Sequence, residues 1–248
     1  MAKRRGGLFN PRSVMKPFRM RILLVGYGRM GRLVGDLADE YGCEVAGIID
    51  PQSPSHSGGP EDDRWRDVDV AIDFSSPDAV VTNVPALARR RLNIVIGTTG
   101  WQKDEPAIRS AIEEAGAGVV SAPNFSTGVV LFEALAAQAA KLFAEQTEFG
   151  AWLHEAHHAA KKDAPSGTAL MLKGAMHQAG FGRAVDVSST RAGHIPGTHT
   201  IGFDGPAESI TLSHTARDRT AFARGALAAA RWVKGRRGWF TMRDVLGL

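Results

Sequence analysis

Residues 152–169 read WLHEAHHAAKKDAPSGTA, placing three histidines, a glutamate, two lysines, an aspartate and a Ser-Gly-Thr run within one short stretch. Two chemistries use such a set. His154, Glu155 and His158 spell H-E-x-x-H, the spacing with which one helix face offers two imidazoles to zinc and a glutamate as general base. The same residue types also suit proton transfer and anion binding, because imidazole titrates near neutrality and lysine carries both a charge and a proton.

The zinc reading needs a helix and a further ligand, and the sequence supplies neither. The extended pattern would set a glycine at Lys161 and a histidine at Ala164, and no glutamate occurs between Glu155 and Glu208. Lys161 and Lys162 would also place positive charge beside a dication. "EFGAWLHEAHH" alternates like a strand, so no metal is expected. "DAPSGTA" reads as a turn entering a helix, with Ser166 or Thr168 as the N-cap and the N–H groups of Gly167 and Thr168 free to grip a carboxylate. Imidazoles, an amine and a helix N-terminus make a site for a small anionic substrate.

The elements that must position this site begin at Arg21. "RILLVG", "EVAGIID", "VDVAIDF", "NIVIG" and "AGVVSA" are short apolar runs separated by segments of helical spacing, the rhythm of a Rossmann-type, doubly wound parallel α/β sheet. "VGYGRMG" sets Gly26, Gly28 and Gly31 in G-x-G-x-x-G spacing between the first strand and its helix, where glycines allow a tight turn and close approach of a pyrophosphate. Asp50 ends the next strand, where a carboxylate binds ribose hydroxyls. A carboxylate there favours NAD over NADP, although Arg29 could offset it. "IGTTG" and "SAPNFS" also follow strands and so line the same crevice at the strands' carboxyl ends.

After Pro123 the rhythm changes. A long Ala-rich helix over about residues 127–144 precedes "VDVSST", "GTHTIGF" and "ESITLSHT", alternating strands without regular crossovers that predict a mixed or mostly antiparallel sheet in a second, α+β domain. The closing helix "RTAFARGALAAARWV" is expected to return to the first domain. Residues 20–122 with 216–248 are then expected to form the dinucleotide-binding domain, and residues 123–215 the substrate-binding domain.

Composition bounds the rest. With 44% apolar and 23% charged residues, the chain is of ordinary globular type, and no run approaches a membrane span. Cys43 is the only cysteine, which fits a reducing, cytoplasmic setting. Residues 1–21 carry Lys3, Arg4, Arg5, Arg12, Lys16, Arg19 and Arg21 with no acid, leaving the rest of the chain at about −3, so the body is not a nucleic-acid surface. Residues 1–19 are expected to be a disordered extension, or to precede a true start at Met15 or Met20.

The run "EAHHAAKKDAPSGTA" matches E-x-H-H-x-x-K-x-D-A-P-S-G-T-A, and with "GRMG", "AIDFSSP", "IGTTG", "APNFS", "RAGHIPGTHTIGF" and "FTMRDVLGL" the chain resembles the 4-hydroxy-tetrahydrodipicolinate reductase (dihydrodipicolinate reductase) family of lysine and diaminopimelate synthesis. The resemblance spans residues 20–248. It implies His157 as general acid/base and Lys161 as proton donor, with His158, Gly167 and Thr168 holding the carboxylates of a small dicarboxylate substrate. It assigns NADH or NADPH to Gly26, Tyr27, Gly28, Arg29, Met30, Gly31, Asp50, Gly97, Thr98, Thr99, Ser121, Ala122, Pro123 and Asn124. It also implies a homotetramer built through residues 123–215, the substrate-binding and tetramerisation domain; the chain departs from longer members in a shorter segment between Phe181 and Arg191. A different two-domain dehydrogenase of an amino or keto acid, or a non-catalytic dinucleotide sensor, are the alternatives; a sensor has no need of the His/Lys cluster.

Overall fold

The structure is a computed structural model describing residues 19–248, so the basic extension lies outside the described residues except for Arg19. Because "MRILLV" is apolar along both faces, it can be covered on both sides, and it forms strand β1 (Met20–Val25) inside a parallel sheet. The remaining strands of this sheet are β2 (Cys43–Ile49), β3 (Val70–Asp73), β4 (Asn93–Ile96), β5 (Gly118–Ser121) and β10 (Gly238–Phe240), in the order β10-β5-β4-β3-β1-β2. Helix α1 (Arg29–Leu37) covers one face with α6 (Thr220–Val233), while α2 (Pro77–Arg89) and α3 (Glu105–Ala115) cover the other. The strand order reverses direction between β1 and β3, and such a switch point opens a crevice at the carboxyl ends of those strands.

Five of these strands are the apolar runs read from the sequence. The sixth, β10, has three residues and begins at a glycine, too little for a period to register. It pairs in parallel with β5, and Trp239 is held between the Trp101 ring, 6.1 Å away, and the Arg109 guanidinium, 4.2 Å away.

Helix α4 (Thr127–Phe143), capped by Ser126, leads into the second sheet, ordered β7-β6-β8-β9. Its strands are β6 (Gly150–His157), β7 (Val185–Arg191), β8 (Thr198–Asp204) and β9 (Ser209–Thr215). The sheet is mixed: β6–β8 and β8–β9 are antiparallel, while β6–β7 is parallel because α5 (Gly167–Gln178) forms a crossover between them. That crossover departs from the expectation of strands joined without one; the helix opened by the Pro-Ser-Gly turn carries the chain back along the sheet. Alternate residues Ala151, Leu153, Glu155 and His157 of β6 are buried, and α4 and α5 cover this face with Phe132, Leu172 and Met176.

The chain's last part returns to the first sheet. Ala223, Ala226, Leu227 and Ala230 of α6 pack with Ile22, Leu24 and Ile72, and α7 (Met242–Leu246) seals the end through Met242. At Gly225 the helix lies directly on the Phe125 carbonyl, in the segment that joins β5 to α4; a Cβ there would stand 1.7 Å from that oxygen. Gly225→Ala should therefore destabilise the fold by about 1–3 kcal/mol, the usual cost of overpacking. Gly174→Ala in α5, where an added Cβ meets nothing within 4 Å, should instead stabilise by about 0.5–1 kcal/mol. Urea midpoints of the two variants check the opposite signs.

Candidate active site

Two groups of residues converge on the switch point, the first of them the glycine turn. Gly26 has φ +85°, and a Cβ there would meet the Phe74 carbonyl oxygen at 2.4 Å. A Cβ at Gly31 would meet the Gly26 oxygen at 2.1 Å, whereas one at Gly28 would point into open space. The two tight glycines thus let β1, β3 and α1 close on one another, and Gly28 leaves room for a ligand at the helix. Helix α1 starts at that point with no side-chain cap and no acid in its first turn, so its N-terminal N–H groups and positive dipole end face the opening.

Asp50 is fixed at the end of β2 by two backbone donors: Tyr27 N–H gives to Oδ2 at 2.8 Å and Gln52 N–H to Oδ1 at 3.0 Å. Each oxygen keeps a lone pair for a hydroxyl. The adjoining cavity, about 540 Å³, is lined by Gly26, Gly28, Asp50, His56, Ser76 and Asn83, among others, and by no lysine or arginine among the described residues. A diol fits this donor set, and the uncapped helix end beside it fits a pyrophosphate.

Phe74 separates this cavity from a second of about 610 Å³. Met30, Gly97, Thr99, Pro123 and Asn124 line one wall of the second cavity and His157, His158, Lys161 and Thr168 the other. Gly167 lines an adjoining hollow with Thr99, Asn124 and Lys161. The other sequence-expected residues do not line these cavities. Tyr27 gives its N–H to Asp50 and lays its ring under Arg32, Gly31 is packed against Gly26, and Arg29 is exposed on α1. Thr98 turns inward to donate its hydroxyl to Asp73 at 2.7 Å, and its carbonyl accepts from Trp101 Nε1 at 2.7 Å. Ala122 is buried in the core and Ser121 ends β5, neither lining a cavity described above.

Asp73 closes β3 with no exposed surface, and burial pushes its carboxyl pKa up. Its Oδ1 also accepts from Ser75 N–H at 3.1 Å and Ser75 Oγ at 2.9 Å, so one carboxyl ties together the loops after β3 and β4. Nothing in the local sequence pattern marks this residue beyond its place at a strand end.

On β6, period-two alternation separates the histidines. His154 lies on the face away from the helices, with Nδ1 2.9 Å from Ser188 Oγ, while Glu155 and His157 share the buried face. The H-E-x-x-H residues therefore do not share a helix face. Glu155, His157 and His199 do approach closely enough to suggest a cation. However, the Arg191 guanidinium already spans the Glu155 carboxylate, with Nη1 at 2.9 Å from Oε2 and Nη2 at 2.6 Å from Oε1, so the site offers no uncompensated anion.

His157 Nδ1 bonds to the same Glu155 Oε2, and Ser166 N–H gives to Oε1 at 3.2 Å. Burial alone would raise the Glu155 pKa, but the bonds from Arg191, Ser189 and His157 hold it at about 2. Burial pushes the His157 imidazole down, against the pull of Glu155. Burial and the neighbouring His157 push His199 down to about 4, so its ring is neutral near pH 7.

Ser166 is the N-cap of α5: its Oγ accepts from Ala169 N–H at 3.2 Å and lies 3.0 Å from His199 Nε2. Gly167 and Thr168 open the helix, whose first turn contains no acid. Lys161 Nζ gives to both oxygens of Asp163, at 2.7 and 2.8 Å. Sequence reasoning passed over Arg191 and His199, which arrive from β7 and β8, and Arg219 and Phe222, which reach the cleft from the start of α6. Only the shared strand face of Glu155 and His157 was open to view in the alternation.

The chain's relatives agree along its length. Residues 20–125 match the family description "Dihydrodipicolinate reductase, N-terminus" and residues 128–246 match "Dihydrodipicolinate reductase, C-terminus". A 4-hydroxy-tetrahydrodipicolinate reductase of Christiangramia forsetii is 32% identical, covering 92% of this chain and 98% of that protein. One from Rhodopseudomonas palustris is 38% identical, covering 92% and 97%. A dipicolinate-bound dihydrodipicolinate reductase from Paenisporosarcina sp. TG-14 superposes with TM-score 0.79 at 21% identity, covering 92% of this chain and 99% of that one, and shares its fold. Glycine turn, His/Lys motif and two-sheet architecture thus occur together in a chain that belongs to the dihydrodipicolinate reductase family.

Proposed function

We infer that the chain catalyses the NADH- or NADPH-dependent reduction of 4-hydroxy-tetrahydrodipicolinate to tetrahydrodipicolinate, in lysine and diaminopimelate synthesis. The observation that carries this reading is the single cleft in which Gly97, Thr99 and Asn124 face His157, Lys161 and Thr168. When bound, the nicotinamide supplies a hydride to the substrate ring, whose 4-hydroxyl is lost as water.

The chain's own residues account for everything else the reaction needs. Gly26, Gly28 and the start of α1 take the pyrophosphate, and Asp50 takes the adenosine ribose hydroxyls. The backbone N–H groups of Gly167 and Thr168, aided by the dipole of α5, grip one substrate carboxylate, and His158 and Lys161 balance the other. Lys161 supplies the proton that the reduced ring takes up, and His157 serves as its acid/base partner. Residues 20–122 with 216–248 act as the dinucleotide domain and 123–215 as the substrate domain, and their approach excludes water from the cleft.

The face of the second sheet that α4 and α5 leave uncovered carries Trp152, His154, Thr211 and Ser213, and it is the surface on which we expect a homotetramer to form. Among the described residues no helix is long and apolar enough to cross a membrane, and we place the enzyme in the cytoplasm.

Oxidation of NADH and NADPH, with substrate generated in situ from pyruvate and aspartate semialdehyde by the preceding synthase, tests the activity. Synthase-dependent oxidation is expected, and its absence alongside measurable dinucleotide binding would point to another substrate. Lys161→Ala and His157→Ala should each lower kcat by about 10²-fold or more, while fluorescence titration shows dinucleotide affinity unchanged. Asp50 lies in a cavity free of lysine and arginine, so NADH is the expected preference. Asp50→Ser should raise the NADPH:NADH ratio of kcat/KM, and an unaltered ratio would show that this carboxylate does not read the ribose.

A further inference from the structure

We propose that Glu155 and Arg191 are the positioning pair of this site, fixing His157 as the Nδ1–H tautomer with Nε2 bare toward the cleft and anchoring the loop that carries Lys161 and the carboxylate-binding helix start. The proposal deepens the reductase reading and rests on it for the roles of His157 and Lys161.

The bonds around Glu155 carry the first half. Its carboxylate is fully buried, and besides the Ser189 hydroxyl each oxygen takes two donors: Arg191 Nη2 and Ser166 N–H on Oε1, Arg191 Nη1 and His157 Nδ1 on Oε2. An ionised carboxylate only accepts, so the proton of the fourth contact resides on Nδ1. In a neutral ring Nε2 is then unprotonated. Among the described residues it makes no hydrogen bond, and it lies next to Gly197, where an added Cβ would stand 3.1 Å from it, on a ring that lines the cleft.

The groups facing the ring keep it neutral near pH 7. Burial and the positive charges of Lys161 and Arg191 oppose protonation, Glu155 alone favours it, and His199, ring centroid 5.1 Å away, is itself neutral. His157 therefore meets the substrate as a proton acceptor, for the ring proton that departs with the 4-hydroxyl as water. The proton delivered to the reduced ring carbon leaves Lys161 Nζ, which regains one from solvent.

The second half rests on Arg191. While Nη1 and Nη2 hold Glu155, Nη2 also gives to the Asp163 carbonyl at 2.5 Å and Nη1 to the Thr190 carbonyl at 2.8 Å. Asp163 is the residue whose side chain holds Lys161, and Ser166, bonded to Glu155 through its N–H, caps α5. One ion pair between β6 and β7 thus sets the separation of His157, Lys161 and the Gly167–Thr168 amides.

The test combines the wild-type protein with Glu155→Gln and Arg191→Lys. In 15N-histidine-labelled wild-type protein without ligand at pH 7, His157 should show a protonated Nδ1 and a bare Nε2; the opposite tautomer overturns the proposal, whatever the variants do. Glu155→Gln should lower kcat at least about tenfold with dinucleotide affinity unchanged. Because Glu155 is the group that favours the protonated ring, its loss should also move the acid limb of kcat/KM to lower pH, a shift that general loosening of the fold would not produce. Arg191→Lys keeps the charge but not the two-pronged contact, and should raise KM for substrate more than it lowers kcat. A folded Glu155→Gln enzyme with wild-type kcat and an unmoved acid limb overturns the proposal while leaving the reductase reading intact. Wild-type protein that binds dinucleotide but fails to turn over substrate overturns that reading instead, and the tautomer measurement still decides the pair.

Discussion

A carboxylate with no exposed surface stays ionised only if a charge of opposite sign and a full set of hydrogen bonds replace the water it has lost. Glu155 meets this condition through Arg191, Ser166 and His157. Because these partners come from three separate places in the chain, the condition is met only when β6, β7 and the loop before α5 are assembled. Breaking one contact would leave a buried charge, so the pair couples the order of the loop to the order of the sheet.

The first sheet solves a different problem with backbone alone. Its glycine turn lets β1, β3 and α1 come together, and the helix end and strand ends remain open there because nothing in the sequence caps them. Asp73 then links the loops following β3 and β4 from beneath. The two halves of the cleft meet through Phe125 and α6, whose packing at Gly225 leaves no space for a side chain. The spacing of the two cleft walls therefore depends on a helix remote in sequence from both motifs.

How much of this was legible before the structure varies with the range of the interaction. The apolar runs at β1–β5 and the alternation at β6 are local signals, and they identified the sheet class and the strand nature of the histidine segment. The motif from Glu155 to Ala169 was readable as a site because its groups are contiguous. Strand β10 was too short to show a period, and the α5 crossover was hidden because a helix preceded by a polar turn does not announce which strands it joins. Arg191 and His199 were missed because their relation to Glu155 is set by strand register, 36 residues away for Arg191. Thr98, read as a cofactor contact, turns its hydroxyl to a buried acid, an orientation that depends on Asp73 across the neighbouring strand.

The ion pair between Lys161 and Asp163 has a consequence for selectivity. Both carboxylate oxygens of Asp163 hold the ammonium group, so the cleft already contains an internal counter-anion where a substrate carboxylate would arrive. A ligand with one carboxylate that displaces Asp163 exchanges one ion pair for another and gains little. Asp163 also takes a backbone bond from Gly167, so a ligand with two carboxylates can replace that one side chain at both places, the start of α5 and the lysine, turning a neutral exchange into a net gain. On the binding roles proposed for Lys161 and the start of α5, Asp163 is then a resident competitor that favours a dicarboxylate over a small monoanion.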